Sequence, residues 1–566
     1  MPPAGPGEPT RQPTPSLPHD ATISGTSRAV TTGAPQQTTA QTIETTLSKT
    51  TRRITTKDYI WGLMAKALAT VWVFGDQLNL KIGALATAKP ETHRILIIES
   101  AGKISSRRWH VQRAHFLITS MRRFALELEE SGFKVDYRKS ATMRKGLKEH
   151  VAQYSPSQIS ATEPNSYTAR QLVASLKVQT VKSNQFLCHP DDYAKFTGDK
   201  KSIKMEDFYR WQRKRYDVLM DGKNGDQPVG GKWNFDEENR EPPPKTGHDR
   251  WPKPKQHKLD KIDQQVLDDL PKSVFGKAPD GLWATSRADA LVRLKYFVKE
   301  ILPTFGEHED AMLESNWHLA HSLLSPYLNN GLLLAKEVVD AAADAYAKGN
   351  VPINSAEGFI RQILGWREYI WNCYWRWMPE YAERNHLQAH RQLPPLFTNP
   401  KKTKMKCVST ILNGINDRAY SHHIERLMVL GNFALISAID PQQFTKWMWN
   451  SYIDAHEWVM VPNVLGMSLY ADGGQLATKP YASGGAYIDR MSNHCNGCHY
   501  DRKKRTGDDA CPFTVLYWDF FLRHEKAFVK NPRVARSVRA AQQLSDVVEL
   551  KKTAKKILQR LDDGEA

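Results

Sequence analysis

Three cysteines within Asn493–Phe521 (NHCNGCHYDRKKRTGDDACPFTVLYWDFF) constrain this chain more than any other stretch. Cys495 and Cys498 form a CxxC pair, Cys511 follows after twelve intervening residues, and Pro512 stands directly behind it. Three thiols so placed ask for a fourth soft ligand, because zinc and iron–sulfur cages built on thiolates have four members. The remaining cysteines are Cys188, Cys373 and Cys407. Cys407 is the best fourth: it lies in a polar loop (NPKKTKMKCV) ahead of a helical run, whereas Cys373 lies inside an aromatic helix. The spacing leaves two occupants open, an iron–sulfur cluster and a zinc knot pinning two helices. Disulfides fit less well, since a chain of 566 residues buries a core unaided and shows no secretory signal.

The formal charge of +18 and the pI near 9.4 favour a polyanionic partner without selecting one. No apolar run is long enough to span a bilayer. Residues 1–63 are rich in Pro, Thr and Ser and lack apolar periodicity, which predicts a disordered extension; its acid-poor character is also compatible with an organellar transit peptide. Residues 64–188 alternate short apolar runs with helical segments. TVWVFGDQL, HRILIIES, FKVDYRKS, QISATEP and KVQTVKS read as strands, and Arg107–Ser131 reads as a helix stopped by Gly132. A parallel α/β domain is expected, whose ligands lie beyond the carboxyl ends of the strands. Gly75, Asp76 and Gln77 follow the first strand and Glu99 ends the second, so a small ligand would sit among them.

Residues 189–260 read as a linker carrying a basic helix, MEDFYRWQRKRYDVLM. Residues 261–536 read as almost wholly helical and aromatic-rich, and residues 537–566 as an amphipathic helical tail. Within the helical part, a helix over 419–435 would hold His422 and His423, which point about 100° apart on such a helix, with Arg426 sharing a surface with either.

The motif CxGCxYDxxxRxGDxACPFxxLYWDF, with Cys407, AYSHHIERLMVLGNFAL, DGGQLATKPYASGGAYIDRMS and GWREYIWNCYW, resembles the iron–sulfur bacterial cryptochromes and photolyases, also called prokaryotic (6-4) photolyases or photolyase-related proteins. The resemblance runs from about Thr70 to about Arg536. It implies an antenna-type α/β domain joined to a large all-α FAD-binding domain, with a [4Fe-4S] cluster on Cys407, Cys495, Cys498 and Cys511. It implies cofactor contacts from Ser322, Leu324, Ser325, Gln362, Trp366, Arg367, Tyr369, Arg426 and Asp454. His422, His423 and Tyr481 fall at the family's lesion face, and Trp447 and Trp449 are candidate electron-relay residues. Beside such a domain, Arg210, Arg213, Lys214, Arg215 and Lys479 become candidates for DNA phosphate contacts.

The resemblance also suggests a lumazine-type antenna near Gly75–Gln77, though Lys103 and Ser106 replace an acidic residue and a tyrosine of antenna-binding relatives. Asn399, His456 and Met460 depart from the family's Trp, Tyr and acidic residue. The implied activity is blue-light-driven repair of (6-4) photoproducts in UV-damaged DNA, by a monomer that is cytoplasmic if the source is prokaryotic. The alternatives are a photoreceptor of the same fold without repair activity and, more distantly, a zinc-knotted nucleic-acid-binding protein without flavin.

Overall fold

A computed structural model describes residues 67–200, 203–221 and 225–565. The expectations for residues 1–63 lie outside the described residues. Five strands, β1 (Ala69–Val73), β2 (His93–Ser100), β3 (Lys134–Ser140), β4 (Ile159–Thr162) and β5 (Gln179–Val181), form a wholly parallel sheet in the order β3-β2-β1-β4-β5. Alternate residues of the central strands serve opposite faces. Trp72, Phe74, Leu96 and Ile98 pack with Leu147 of α2 (Met143–Tyr154) and Val173 of α3 (Tyr167–Ser175). Val71, Val73, Ile95 and Ile97 join Phe116 and Phe124 of α1 (Val111–Glu130) in a core that continues into the helical region. Burial on both faces is what parallel strands joined by helices require. Gly132 lies at φ +86°, the left-handed position just past the end of α1, as its place in the sequence implied.

Next, α4 (Met205–Tyr216) ends at Asp217, φ +51°. The helical region that follows is organised by wide turns. The helix α5 (Ile353–Ile360) continues through a π-helical segment, Arg361–Arg367, into α6 (Glu368–Trp377). A second π segment, Glu425–Gly431, leads into α8 (Asn432–Ile436), and a third, Pro462–Ser468, follows α10 (Glu457–Val461). Between them lie α7 (Lys406–Arg418), which carries Cys407, and α9 (Pro441–Ser451). Finally α11 (Pro512–Arg523) packs against α12 (Ala535–Gln542) and α13 (Val547–Asp563), the last burying Leu550, Ala554, Ile557 and Leu561.

One expected helix starts late. Ala419 adopts φ +54°, closing α7, and Tyr420–His422 precede the next helical turn, which begins at His423. Helical spacing therefore does not relate His422 to His423.

Candidate active site

These three π segments present residues to one cavity of about 880 Å³, whereas a fourth, Phe297–Ile301, does not. An extra residue per turn widens the helix and turns side chains that a regular helix would stack apart toward one space, a device found at functional sites. Arg361, Gln362, Trp366 and Arg367 come from the first segment, Arg426 and Met428 from the second, Asn463 and Ser468 from the third. Ser322 and Ser325 close one wall. The volume lies in the range that holds cofactors and flipped bases.

At the centre Arg426 holds Asp454 with two parallel bonds, Nη1 to Oδ1 at 3.0 Å and Nη2 to Oδ2 at 3.1 Å, while Ser325 Oγ donates to Oδ2 at 2.7 Å. Burial pushes the Asp454 carboxyl up, but Arg426 and Ser325 outweigh it and hold it below its ordinary value. Arg367 donates to Glu368 Oε1 (2.7 Å) and Leu328 O (3.2 Å), and its Nε is buried without a partner. His423 is exposed to the cavity; the loss of surrounding water there, then Arg426, pushes its imidazole down to about 4, so that it is neutral near pH 7. Tyr481 and Lys479 line the mouth with Arg240, Arg490 and Arg533. Burial, then Arg533 and Arg240, lowers the Lys479 ammonium, while Arg240 is itself paired with Asp236 (2.7 Å).

Ser322, Ser325, Gln362, Trp366, Arg367, Arg426, Asp454, His423, Tyr481 and Lys479 thus converge as the sequence suggested. Others do not. His422 is fully buried behind the wall. Leu324 lies wholly in the core beside the Ser322 turn. Tyr369 turns away, its hydroxyl donating to Ile203 O (2.6 Å) and its ring meeting Phe208. On a regular helix Gln362, Trp366 and Tyr369 would share a face, and the π segment re-phases Tyr369 off it. Trp447 donates Nε1–H to Phe397 O (3.0 Å), and its ring stands 6.3 Å from that of Tyr452, over which Arg426 lies at 4.1 Å. Trp449, two residues on, points the other way and lies under Arg107 at 3.8 Å. The sequence reading missed His321, Asp236, Arg240, Glu309 and Arg361, all on the cavity. Half-buried Glu309, its carboxyl pushed up to about 8 by loss of solvent, was the least visible of them.

The basic helix α4 is not a uniform phosphate-binding face. Arg213 is fully buried and donates to Val218 O (3.1 Å), Trp233 O (3.1 Å) and Leu219 O. It ties the end of α4 to the loop after it and cannot reach DNA. Arg210 pairs with Glu206 (3.5 Å), Arg215 with Asp192 (2.6 Å), and Lys214 lies 5.5 Å from the Trp233 ring. Arg213→Ala is expected to lower stability by about 3 kcal/mol, since three buried carbonyls lose their donor, with the salt dependence of DNA binding unchanged. Denaturant unfolding and DNA titrations at several salt concentrations check both.

Beyond β1, Gly75 faces Met121 Sδ, which lies 2.7 Å from where a Cβ would stand. The Asp76 carbonyl accepts from Gln185 Nε2 (2.9 Å), and Gln77 Nε2 donates to Glu163 O (2.8 Å). Lys103 acts electrostatically on Asp76, His456 and Glu457. Glu99 is turned to other work: Arg122 grips both its oxygens (3.0 and 3.1 Å) and Tyr137 donates at 2.6 Å.

Cys407, Cys495, Cys498 and Cys511 line a separate small cavity of about 20 Å³, and all four are free thiols. Burial pushes Cys495 up to about 12, and its neighbours Asp489, Cys511 and Cys498 add to the push. Gly485 lies against this site, 3.1 Å from Cys511 Sγ to where a Cβ would stand. Four thiols gathered around one small cavity form a donor set of the kind that binds a cationic centre. Among the described residues no group of three or more His, Cys, Asp or Glu is arranged to hold a single metal ion. No described helix is long and apolar enough to cross a membrane.

Residues 71–280 match the family model of the deoxyribodipyrimidine photo-lyase-related proteins. The chain is 39% identical over 510 residues to a (6-4) photolyase of Agrobacterium fabrum, covering 87% of this chain and 99% of the relative. A shorter stretch of 134 residues is 33% identical to the uncharacterized protein R855 of Acanthamoeba polyphaga mimivirus, spanning 24% of this chain and 100% of that protein. In fold it is similar to a bacterial class III photolyase from Agrobacterium tumefaciens (TM-score 0.52, 18% identity, 88% of this chain and 92% of that one). A parallel sheet backed by a helical region, a relative aligned over nearly its full length and a cavity walled by the predicted residues together show that this chain belongs to the bacterial photolyase/cryptochrome family of photolyase-related proteins.

Proposed function

We propose that this protein is a light-driven DNA-repair lyase acting on (6-4) pyrimidine photoproducts, with FAD in the large cavity. The observation that carries this reading is the meeting, in one enclosed space, of the Arg426–Asp454 pair with His423 and Tyr481 beneath a cationic rim. The residues fit the cofactor: the cavity is large enough, and Arg367 Nε and His321 Nε2 are buried polar atoms without protein partners along its wall. Ser322, Ser325, Gln362, Trp366, Arg367, Arg426 and Asp454 would hold it. Reduced FAD supplies one electron on light absorption and takes it back.

The chain's own part is to bind, orient and handle protons. Arg240, Arg490, Arg533 and Lys479 attract the phosphates, and a lesion flipped from the duplex enters between them. His423, neutral at pH 7, meets the lesion as a hydrogen-bonding imidazole able to pass a proton. The Tyr481 phenol, its acidity reduced first by burial, stays protonated beside it as a donor. Trp447 connects through Tyr452 toward Arg426 and suits a relay that recharges the cofactor. Lys103, in place of an acid, leaves the α/β pocket suited to a different antenna or none. On this reading the protein works as a monomer, in the cytoplasm if its source is prokaryotic.

The four cysteines, which line one small cavity, would hold a [4Fe-4S] cluster as the family resemblance implies, with a single zinc ion as the alternative occupant. Cys407→Ser is expected to lower iron retention at least about 10-fold and to bleach the brown absorption. Iron and sulfide analysis with visible spectra checks it; zinc and no colour in the native protein would point to the knot instead.

The functional test is repair by the anaerobically reduced protein of (6-4) and, separately, cyclobutane-dimer oligonucleotides in blue light and darkness. Light-dependent restoration of the (6-4) substrate is expected. Restoration of neither, with cofactor loaded, would favour a photoreceptor, a reading that Met460 on the cavity wall supports.

A further inference from the structure

A line of buried ionisable groups runs inward from the cavity. His321 lines the cavity, and its ring lies nearly parallel on that of His422, centroids 4.3 Å apart at an interplanar angle of 15°. His422 is wholly buried with neither ring nitrogen paired, and His321 Nε2 is also buried and unpaired. Behind His422 stands Glu425. Its Oε2 accepts from the His422 backbone N–H (3.2 Å), which leaves Oε1 3.7 Å from His422 Nε2.

Burial raises the Glu425 carboxyl to about 7, against the opposing effects of Arg418, the His422 N–H and Arg426. Tyr420 and Tyr452 face the same group with their phenols held protonated by burial. Burial, with His321, His423, Arg426 and His494 around it, drives His422 well below its ordinary value. At rest the two stacked rings are neutral, and the carboxyl is the member of the group that carries an exchangeable proton below about pH 7.

We propose that Glu425 is the proton reservoir of the reaction cavity: when negative charge arrives there, the Glu425 proton moves to His422, placing a cation against His321 in the cavity wall. The O–H bond of Glu425 breaks as an N–H bond forms at His422 Nε2, no electron moves in this step, and the proton returns when the charge leaves. The carboxylate left behind is faced by Arg418 and Arg426, so the shift creates a compensated pair and needs no outside acid. A positive charge at that depth acts on the cavity through a poorly screening interior, where its effect is many times that in water. Glu425 is thus a positioning residue acting through His422, and the idea rests on reading the cavity as a photolyase site.

The test compares wild type with Glu425→Gln, which keeps an acceptor for the His422 N–H but has no acid proton. Infrared difference spectra are recorded on photoreduction of the bound flavin, in H₂O and D₂O, because photoreduction adds an electron to the cavity whether or not a lesion is repaired. Wild type is expected to lose a deuterium-sensitive carboxylic C=O band that Glu425→Gln lacks. In single-turnover repair by the same preparations, the variant is expected to lose about 10-fold in yield with unchanged DNA affinity. Wild-type yield should fall as pH rises through about 7, where the reservoir empties before light arrives, while the variant's profile is flat. An unaltered carboxylic region in wild type overturns the proposal, and so does repair by Glu425→Gln at wild-type yield. If the variant does not fold, Glu425→Asp takes its place, and a shift of the carboxylic band in that variant assigns the signal to this position rather than to Glu309. Wild type that shows the band but repairs nothing would sink the photolyase reading and leave the reservoir intact.

Discussion

His423→Ala is expected to cut light-driven repair of (6-4) DNA by about 100-fold or more while lesion affinity changes far less. The reason is placement. His423 is the member of the histidine pair that opens onto the cavity, whereas His422 is sealed behind it. An imidazole pushed down to about 4 carries no charge at pH 7, so its loss removes no phosphate attraction; that belongs to Arg240, Arg490, Arg533 and Lys479. What disappears is a hydrogen-bonding and proton-passing group at the reacting base. Repair yield per absorbed photon and the lesion Kd, measured on one preparation, separate the two. A variant that repairs within threefold of wild type would show that another group handles the proton.

Asp454→Ala is expected to destabilise the protein by about 3–5 kcal/mol and to abolish stable flavin retention. Two parallel hydrogen bonds and the Ser325 hydroxyl converge on this carboxylate, and removing it strands the buried Arg426 guanidinium against Tyr452 and Tyr420. The net worth of such a pair is small, but breaking it leaves one uncompensated buried charge. Because the Asp454 carboxyl is held below its ordinary value, its contribution is fully present near neutrality and is lost only as pH falls through that depressed value. Denaturant unfolding of the apoprotein and the flavin absorbance after gel filtration test the two parts separately. Asp454→Asn, which keeps an acceptor for Arg426, is expected to recover part of the stability.

Several elements were legible in the chain because they depend on neighbours in sequence. Strand alternation placed Trp72 and Leu96 on one face and Val71 and Ile95 on the other. Gly132 marked the end of α1 because a left-handed residue was needed there. The cysteine spacing announced a shared site, and the helical region does bring Cys407 beside the other three. Motif resemblance carried most of the cavity wall.

The misplacements have one kind of cause. The family resemblance puts Tyr369 with the cofactor contacts, but the Arg361–Arg367 segment turns it off the face of Gln362 and Trp366; Trp449 shares a motif with Trp447, yet positions two apart on a helix face opposite ways. Arg213 was read as a surface charge, yet three carbonyls from the following loop made its burial favourable. His321, Glu309 and Asp236 left no local signal, since each matters only through what is packed against it.

By itself, then, the sequence determined the parallel sheet, the helical region, the thiol set and the family, because hydrophobic periodicity, turn residues and motif spacing are properties of contiguous chain. Only the tertiary structure decided which histidine meets the cavity, which arginine is a strut and which carboxyl keeps its proton. Burial and the identity of remote neighbours set hydrogen-bond partners and pKa values, and neither quantity exists until distant segments are packed together.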